Sequence, residues 1–329
     1  MIPLLRSGPV LLAFLLVPAF VKAQTKPAEA VYDFRGIALE DGSTLRAVEG
    51  FRSKNSELRL LVRSNLDSFH VVLFDLSAQH RSSAKLNVRP LSELFDIHPN
   101  GNTIICARSS PSGRTLPSAV LLETDRSGAV INSHAMPFIP VAMYVGLAGE
   151  MKVVDRSGNV RLVAPGGEAD GIPMQSERTL LASPFADGDV AVVDAITGDV
   201  KVYGPSPEKP RHAWTIPSSV LQEPLSRIAP AVRARTLIIN DIAITVGGHV
   251  LLNVSSGIRG SDGAMVLAAN KDGTDIRTFR LGLPTDDRYR SGSNPEGFMG
   301  PAYIESTIGN KLLLADRSGR VAQYQLPLK

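Results

Sequence analysis

The tetrapeptide Asp-Arg-Ser-Gly occurs three times, at residues 125–128, 155–158 and 316–319, each time between two apolar, β-branched runs. A signature of this kind dictates a hairpin. Asp at the first position accepts hydrogen bonds from the backbone beyond it, and Gly at the fourth adopts the positive φ that returns the second strand into register. In "VVDRSGNVRLV" the flanks are Val153 and Val154 before the turn and Val160, Leu162 and Val163 after it, the composition of strands packed on a neighbour. Looser copies follow the same grammar in "VVDAITGDVKVY" from Val192, "AANKDGTDIRTFRL" from Ala268 and a degenerate "VLFDLSAQHRSS" from Val72.

With Asp75, Asp125, Asp155, Asp194, Asp272 and Asp316 as markers, the hairpins are spaced by 50, 30, 39, 78 and 44 residues. Most of these lie near the period of one propeller blade, and the longest contains an insertion. A four-stranded sheet cannot bury both faces alone, so such units stack radially. The pattern predicts an all-β chain, a six-bladed β-propeller of four-stranded antiparallel blades, with seven blades if residues 205–245 hide one whose turn has decayed. "LFDIHPNGNTIICARSS" and "IAITVGGHVLLNVSS" supply further strand pairs just before the hairpins at Asp125 and Asp272. On these turns and strand pairs the chain resembles, over residues 31–328, the six-bladed propellers that include the NHL-repeat and gluconolactonase-like proteins. Either "VYDFRGI" near Val31 or the C-terminal "VAQYQL" is placed to complete a shared blade.

The first 23 residues read as a signal peptide, with Arg6, an apolar run broken by Pro9 and Pro18, and Val21-Lys22-Ala23 at the cleavage position. The run is short of the about 20 apolar residues a span needs. The expectation is a single propeller domain over residues 24–329, secreted or periplasmic, with no stable membrane span once the leader is cut. Loss of Arg6 and Lys22 leaves 33 Lys and Arg against 32 Asp and Glu, from a formal charge of +3 for the whole chain. That is too little positive charge for a nucleic-acid partner. Trp214 is the single Trp, which also speaks against a base-stacking platform. Cys106, inside "NTIICARSS", reads as a buried strand thiol.

If every Asp-marked hairpin joins the third and fourth strands of its blade, the long connections 165–178, 204–235 and 283–300 run from fourth strand to next first strand. Segments 107–117 and 255–263 then join second and third strands, and all five emerge on the face opposite the short turns. Long loops on a rigid scaffold are where binding is built. The stretch from Thr285 to Phe298 offers Asp286, Asp287, Arg288, Tyr289, Arg290, Asn294 and Glu296. Carboxylate and amide oxygens suit Ca²⁺ or another hard divalent cation, and the arginines suit an anionic group. The plainer reading is a solvated loop whose charges neutralise one another. Pro295-Glu296-Gly297-Phe298 resembles the Glu-Gly element of gluconolactonase-like propellers, which implies Glu296 as a metal ligand at the channel mouth, with Asp286 or Asp287 as base. In that family the element stands in the first blade; here it stands before the last.

Other chemistries find no pattern. There is no Gly-x-Ser-x-Gly elbow, and His70, His80, His98, His134, His212 and His249 form no His-Glu-x-x-His pair. Segment 204–235, with Trp214 and a cap candidate at Ser219, reads as a rim insertion or a lid. The leading expectation is an exported, monomeric module that binds a protein or small-molecule ligand through its loop-rich face. The alternatives are a metal-dependent lactonase or esterase and a structural subunit of an envelope assembly.

Overall fold

The computed structural model describes residues 28–328 apart from 55–56, 77–80, 109–118, 137, 147, 156–157, 164–179, 205–208, 218–219, 221, 224–234, 237, 256–263, 282–301 and 308–310. Strand β1 (Ala30–Asp33) is followed by blade 1, made of β2 (Leu45–Lys54), β3 (Glu57–Ser64), β4 (Phe69–Asp75) and β5 (Arg81–Leu86). Blade 2 holds β6 (Pro90–Ile97), β7 (Thr103–Arg108), β8 (Ala119–Thr124) and β9 (Val130–Met136). In blade 3 three strands are described, β10 (Ala142–Val145), β11 (Met151–Val154) and β12 (Val160–Leu162). Blade 4 holds β13 (Leu180–Pro184), β14 (Val190–Asp194), β15 (Asp199–Tyr203) and β16 (Pro210–Thr215), and a small ribbon, β17 (Gln222–Glu223) with β18 (Arg235–Thr236), follows it. Blade 5 is β19 (Ile238–Ile244), β20 (Val250–Ser255), β21 (Ala264–Ala269) and β22 (Arg277–Leu281). Blade 6 takes β23 (Tyr303–Thr307), β24 (Lys311–Ala315) and β25 (Arg320–Gln325), and its outermost strand is β1.

The first strand of each blade lies innermost and packs beside the first strands of the two neighbouring blades, so that β23 meets β2 and the ring closes at six. Among the described residues, 205–245 hold no seventh blade. They supply the outer strand of blade 4, the β17–β18 ribbon and the inner strand of blade 5. "VYDFRGI" provides the closing strand: β1 pairs antiparallel with β25 from Ala30 opposite Gln323 to Asp33 opposite Arg320.

Alternation along each strand sends its apolar residues into the seams on both sides, so the core is divided seam by seam. Leu61, Val71 and Leu73 of blade 1 meet Phe95 and Ile105 of blade 2. Cys106, Leu121 and Met136 meet Met143 and Val153 of blade 3. The pattern continues through Tyr144 and Val154 against Val190 and Val192, Val193 and Val202 against Ile242 and Leu252, and Val266 and Ala268 against Leu312 and Tyr324. The last seam packs Leu313 and Val321 on Phe51 and Leu60, with Phe34 from the closing segment. Cys106 is fully buried, and burial pushes its thiol pKa up to about 12, as a packed strand thiol requires.

The repeated turn is built as its residues demand. Asp125 Oδ1 accepts from the backbone N–H of Ser127 at 2.8 Å and Ala129 at 3.0 Å, while Gly128 holds φ 82°. Asp316 and Gly319 (φ 104°) repeat this, with Arg320 added through its Nε at 3.0 Å. The backbone pair that closes the turn also recurs without the Asp. His98–Asn102, Gly146–Glu150, Phe185–Asp189 and Thr245–His249 close the same way between first and second strands. In the copy near Asp272 the turn begins at Asn270, and Asp272 is its third residue.

The position of these hairpins within their blades departs from expectation. Those at Asp75, Asp125 and Asp272 join third to fourth strands, whereas those at Asp155, Asp194 and Asp316 join second to third. Three of the short turns therefore share a face with the long connections instead of opposing them. The turn's chemistry is local, and any antiparallel neighbour pair can use it. Segment 204–235 is corrected in the same way, because it contains strand β16 as well as the path to blade 5. Trp214 on β16 donates from Nε1 to the Lys271 carbonyl at 3.3 Å and lies against Gly273, where a Cβ would fall 2.4 Å from the Trp Cγ. The segment's single Trp thus fastens the rim of blade 4 to blade 5; Ser219 lies outside the described residues.

Candidate functional site

The six inner strands surround a channel, and each is an edge strand whose inward N–H and C=O groups need partners. The sequence answers with carboxylates. Asp96 on β6 accepts from the Val145 N–H of the next inner strand at 2.6 Å through Oδ2 and from its own neighbour Ile97 at 2.7 Å through Oδ1. Asp241 on β19 repeats the arrangement one seam from closure, with Ile304 N–H on Oδ2 and Ile242 N–H on Oδ1, both at 2.9 Å. Glu305 on β23 takes the Ser53 N–H of β2, across the seam where the ring closes. Lys54 reaches the other way in polarity, donating to the Ile97 carbonyl of blade 2 at 2.9 Å. These side chains latch consecutive blades at their inner edges. Farther out, fully buried Arg59 does the same between blades 1 and 2, with Nη1 on Thr103 Oγ1 and Nη2 on the Gly101 carbonyl, each 2.6 Å.

Arg52 stands at the centre of this set. Its Nη1 donates to the Phe51 carbonyl at 2.9 Å and lies 3.3 Å from Glu305 Oε1, and its guanidinium carbon sits 5.8 Å from the Phe95 ring centroid. Three carboxylates, Asp96, Asp241 and Glu305, thus share the channel with two cations, Arg52 and Lys54. Burial holds the Glu305 carboxyl well above the usual carboxylate range, opposed by Arg52 and reinforced by Asp241 and Asp96. Burial likewise raises Asp96, against the pull of Arg52, two backbone N–H groups and Lys54. Lys54 is lowered by its own burial.

The channel holds a cavity of about 40 Å³ to which every inner strand contributes. Its polar side is Gly50, Arg52, Asp241 and Tyr303; its apolar side is Leu94, Val141, Met143 and Leu181, with Ala142 and Ala182 between them. Inner strands run from the face of the long connections toward the first-to-second-strand turns. The lining extends along the strands, from Ala142, Leu181 and Tyr303 near their starts to Asp241 midway along β19 and Arg52 near the far end of β2. The volume admits a few water molecules or the tip of a larger ligand.

The loop residues singled out from the sequence, Asp286, Asp287, Arg288, Tyr289, Arg290, Asn294 and Glu296, lie outside the described residues, as does the leader. So does His80. Among the described residues no three His, Cys, Asp or Glu side chains converge to hold a metal ion. His70 is fully buried, with Nε2 3.1 Å from Ser68 Oγ and 3.3 Å from Asp41 Oδ2; burial lowers its pKa. Both partners sit on the same ring nitrogen, which fastens the closing segment to blade 1 and does not form a relay. His98 and His249 stand in first-to-second-strand turns, as their Pro-Asn-Gly and Gly-Gly contexts imply.

The channel residues escaped the sequence reading because a single charge in a strand resembles an outward-facing position. The usable signal was a lone acid in an inner run, as in "LFDI", "INDIAI" and "YIEST"; Arg52, between Glu49 and Lys54, has no such context.

Solved structures resemble this fold. Virginiamycin B lyase from Staphylococcus aureus aligns over 91% of this chain and 89% of its own, at 11% identity and a TM-score of 0.50. The β-propeller domain of Cps50 (Swd1) from Myceliophteria thermophila aligns over 90% of this chain and 100% of its own, also at 11% identity and a TM-score of 0.50. At such identities the likeness is one of fold. No protein-family model matches the chain, and no curated protein matches it significantly in sequence.

Proposed function

We propose that this chain is an exported binding module that presents the loop-rich face of a six-bladed propeller to a protein or small-molecule ligand. The observation that carries the reading is where the long connections begin and end. Those leaving Arg108 for Ala119 and Ser255 for Ala264 join second to third strands, and those leaving Thr215 for Ile238 and Leu281 for Tyr303 join fourth strands to the next first strands. All open on one face, while the described turns of the opposite face are tight. The channel's acids are occupied in latching blades, which is a scaffold's use of charge. Export rests on the leader sequence. Because a lyase and the Swd1 β-propeller domain both align with this fold, the fold alone favours no chemistry.

The test is site-specific photocrosslinking in cells of the source organism. A photoreactive residue at Arg108 on the loop-rich face is expected to give discrete adducts, and one at Asn100 in the turn 98–102 is expected to give none. Adducts confined to Asn100 would overturn the assignment of the face. N-terminal sequencing of the same material is expected to begin at Gln24; a chain that retains the leader in the cytoplasm would overturn export.

A further inference from the structure

We infer that the channel cavity lined by Arg52 is a carboxylate site, in which an entering carboxylate pairs with Arg52 and displaces Glu305, which takes up one proton. The inference rests on the binding-module reading and names the chemistry at its centre.

The geometry selects the group. Of the charged side chains that line or underlie the cavity, Asp241 and Asp96 each have both oxygens engaged by backbone N–H groups, one from the next inner strand and one from their own. A cation would have to share those oxygens and weaken the latches. Arg52 lines the cavity directly, and its ionic partner is a side chain that can change state. Guanidinium offers a planar fork that matches a carboxylate. Across the cavity, Leu94, Val141, Met143 and Leu181 provide an apolar wall for a short aliphatic stem. A monocarboxylate of a few carbons, free or at the end of a chain, fits both halves of the lining.

The exchange balances in charge. Glu305 faces Arg52 from β2, Asp241 from β19 and Asp96 from β6, with Lys54, Arg59 and Glu150 acting through Asp96 and Lys54. In that setting it is the acid most easily made neutral. When the ligand's negative charge arrives at Arg52, a proton from solvent moves to Glu305, and the net charge of the channel is unchanged. Binding and proton uptake are then linked one to one.

The test is calorimetry on the protein with butyrate and with butylammonium, in buffers of differing ionisation enthalpy. Above the pH at which Glu305 ionises in the free protein, butyrate is expected to bind with uptake approaching one proton and an affinity that falls about tenfold per pH unit, and below that pH with no uptake. Glu305→Gln is expected to bind butyrate at least as tightly with no proton uptake and a flat pH dependence. Arg52→Gln is expected to lose binding while remaining folded by circular dichroism; should it not fold, Glu305→Gln decides. Binding of butylammonium in preference to butyrate, an unchanged pH dependence in Glu305→Gln, or absence of butyrate binding would each overturn the site. These outcomes leave the crosslinking test of the loop-rich face unaffected, so the two readings fail separately.

Discussion

Ring closure depends on a strand of four residues, and Phe34 is the side chain that anchors it. Its N–H donates to the Gly319 carbonyl at 2.8 Å, its side chain is 3% exposed, and its ring meets Phe74 edge-on at 5.1 Å, with Tyr32 on the same ring at 5.6 Å. Replacing Phe34 by Ala removes a buried aromatic from a tight seam, at a cost of about 3–5 kcal/mol. Single domains of this kind are stable by only about 5–15 kcal/mol, so the loss is large. It is expected to fall first on the clasp, because β1 is held to blade 6 by pairing with β25 alone. Hydrogen exchange in residues 29–34 and 320–325 should then accelerate about a hundredfold to a few thousandfold, at tenfold per 1.4 kcal/mol. Phe185→Ala is the control, an equally buried phenylalanine in the seam between blades 4 and 5, expected to lower stability without selective exchange at the clasp. If Phe34→Ala costs less than about 1 kcal/mol, or its exchange pattern matches that of Phe185→Ala, the clasp is not the weak joint of the ring.

Three other outcomes follow from the same structure. Asp241→Ala strips two buried amides of a charged acceptor and is expected to cost about 2–4 kcal/mol, measured by urea unfolding. Because the Glu305 carboxyl is raised on folding, the native state binds more protons than the unfolded chain between the ordinary carboxylate range and the raised value. Stability therefore falls as pH rises through that window, and Glu305→Gln is expected to flatten the fall, read from unfolding midpoints across pH. Gly128 and Gly42 both hold positive φ, but a Cβ on Gly128 would lie 2.6 Å from the Lys85 carbonyl oxygen, whereas one on Gly42 meets nothing within 4 Å. Gly42→Ala is expected to cost about 1–2 kcal/mol from backbone strain alone, and Gly128→Ala about 1–3 kcal/mol more. Equal costs would mean the Lys85 backbone yields freely.

The six-bladed ring was legible because one Asp-marked hairpin falls in each blade, and Asp75, Asp125, Asp155, Asp194, Asp272 and Asp316 count them correctly. The place of each hairpin within its blade was not legible. A turn's side chains bond within the turn, as Asp125 and Asp316 do, and carry no information about which neighbouring strands they join. The ring-closing strand was visible as one of two candidates, since Val31 and Tyr32 read as strand but nothing local identifies their partner. The channel was hidden for a different reason. Asp96, Asp241 and Glu305 owe their role to amides on the next blade, 49 residues away for Asp96 and 63 for Asp241, and no local pattern records a partner that distant.

That separation of local turns from distant latches bears on how the cavity acquires its chemistry. Each latch joins two adjacent inner strands through a carboxylate and a backbone N–H, so the partner residue's own side chain is left out of the bond. Val145, Ser53 and Ile304 serve as donors although they differ in size and polarity. At these three seams the strand spacing is set by the acids, and the donor residues can vary in side chain without losing the bond. The lining of the cavity is uneven. Blades 3 and 4 give it Val141, Met143 and Leu181, while blades 5, 6 and 1 give it Asp241, Tyr303 and Arg52. A ring that kept its latches on Asp96, Asp241 and Glu305 but changed Arg52 would keep its fold and lose the positive group in the cavity. The charge of Arg52, held beside a carboxyl that burial raises, is the feature on which the inferred selectivity for a small anion rests.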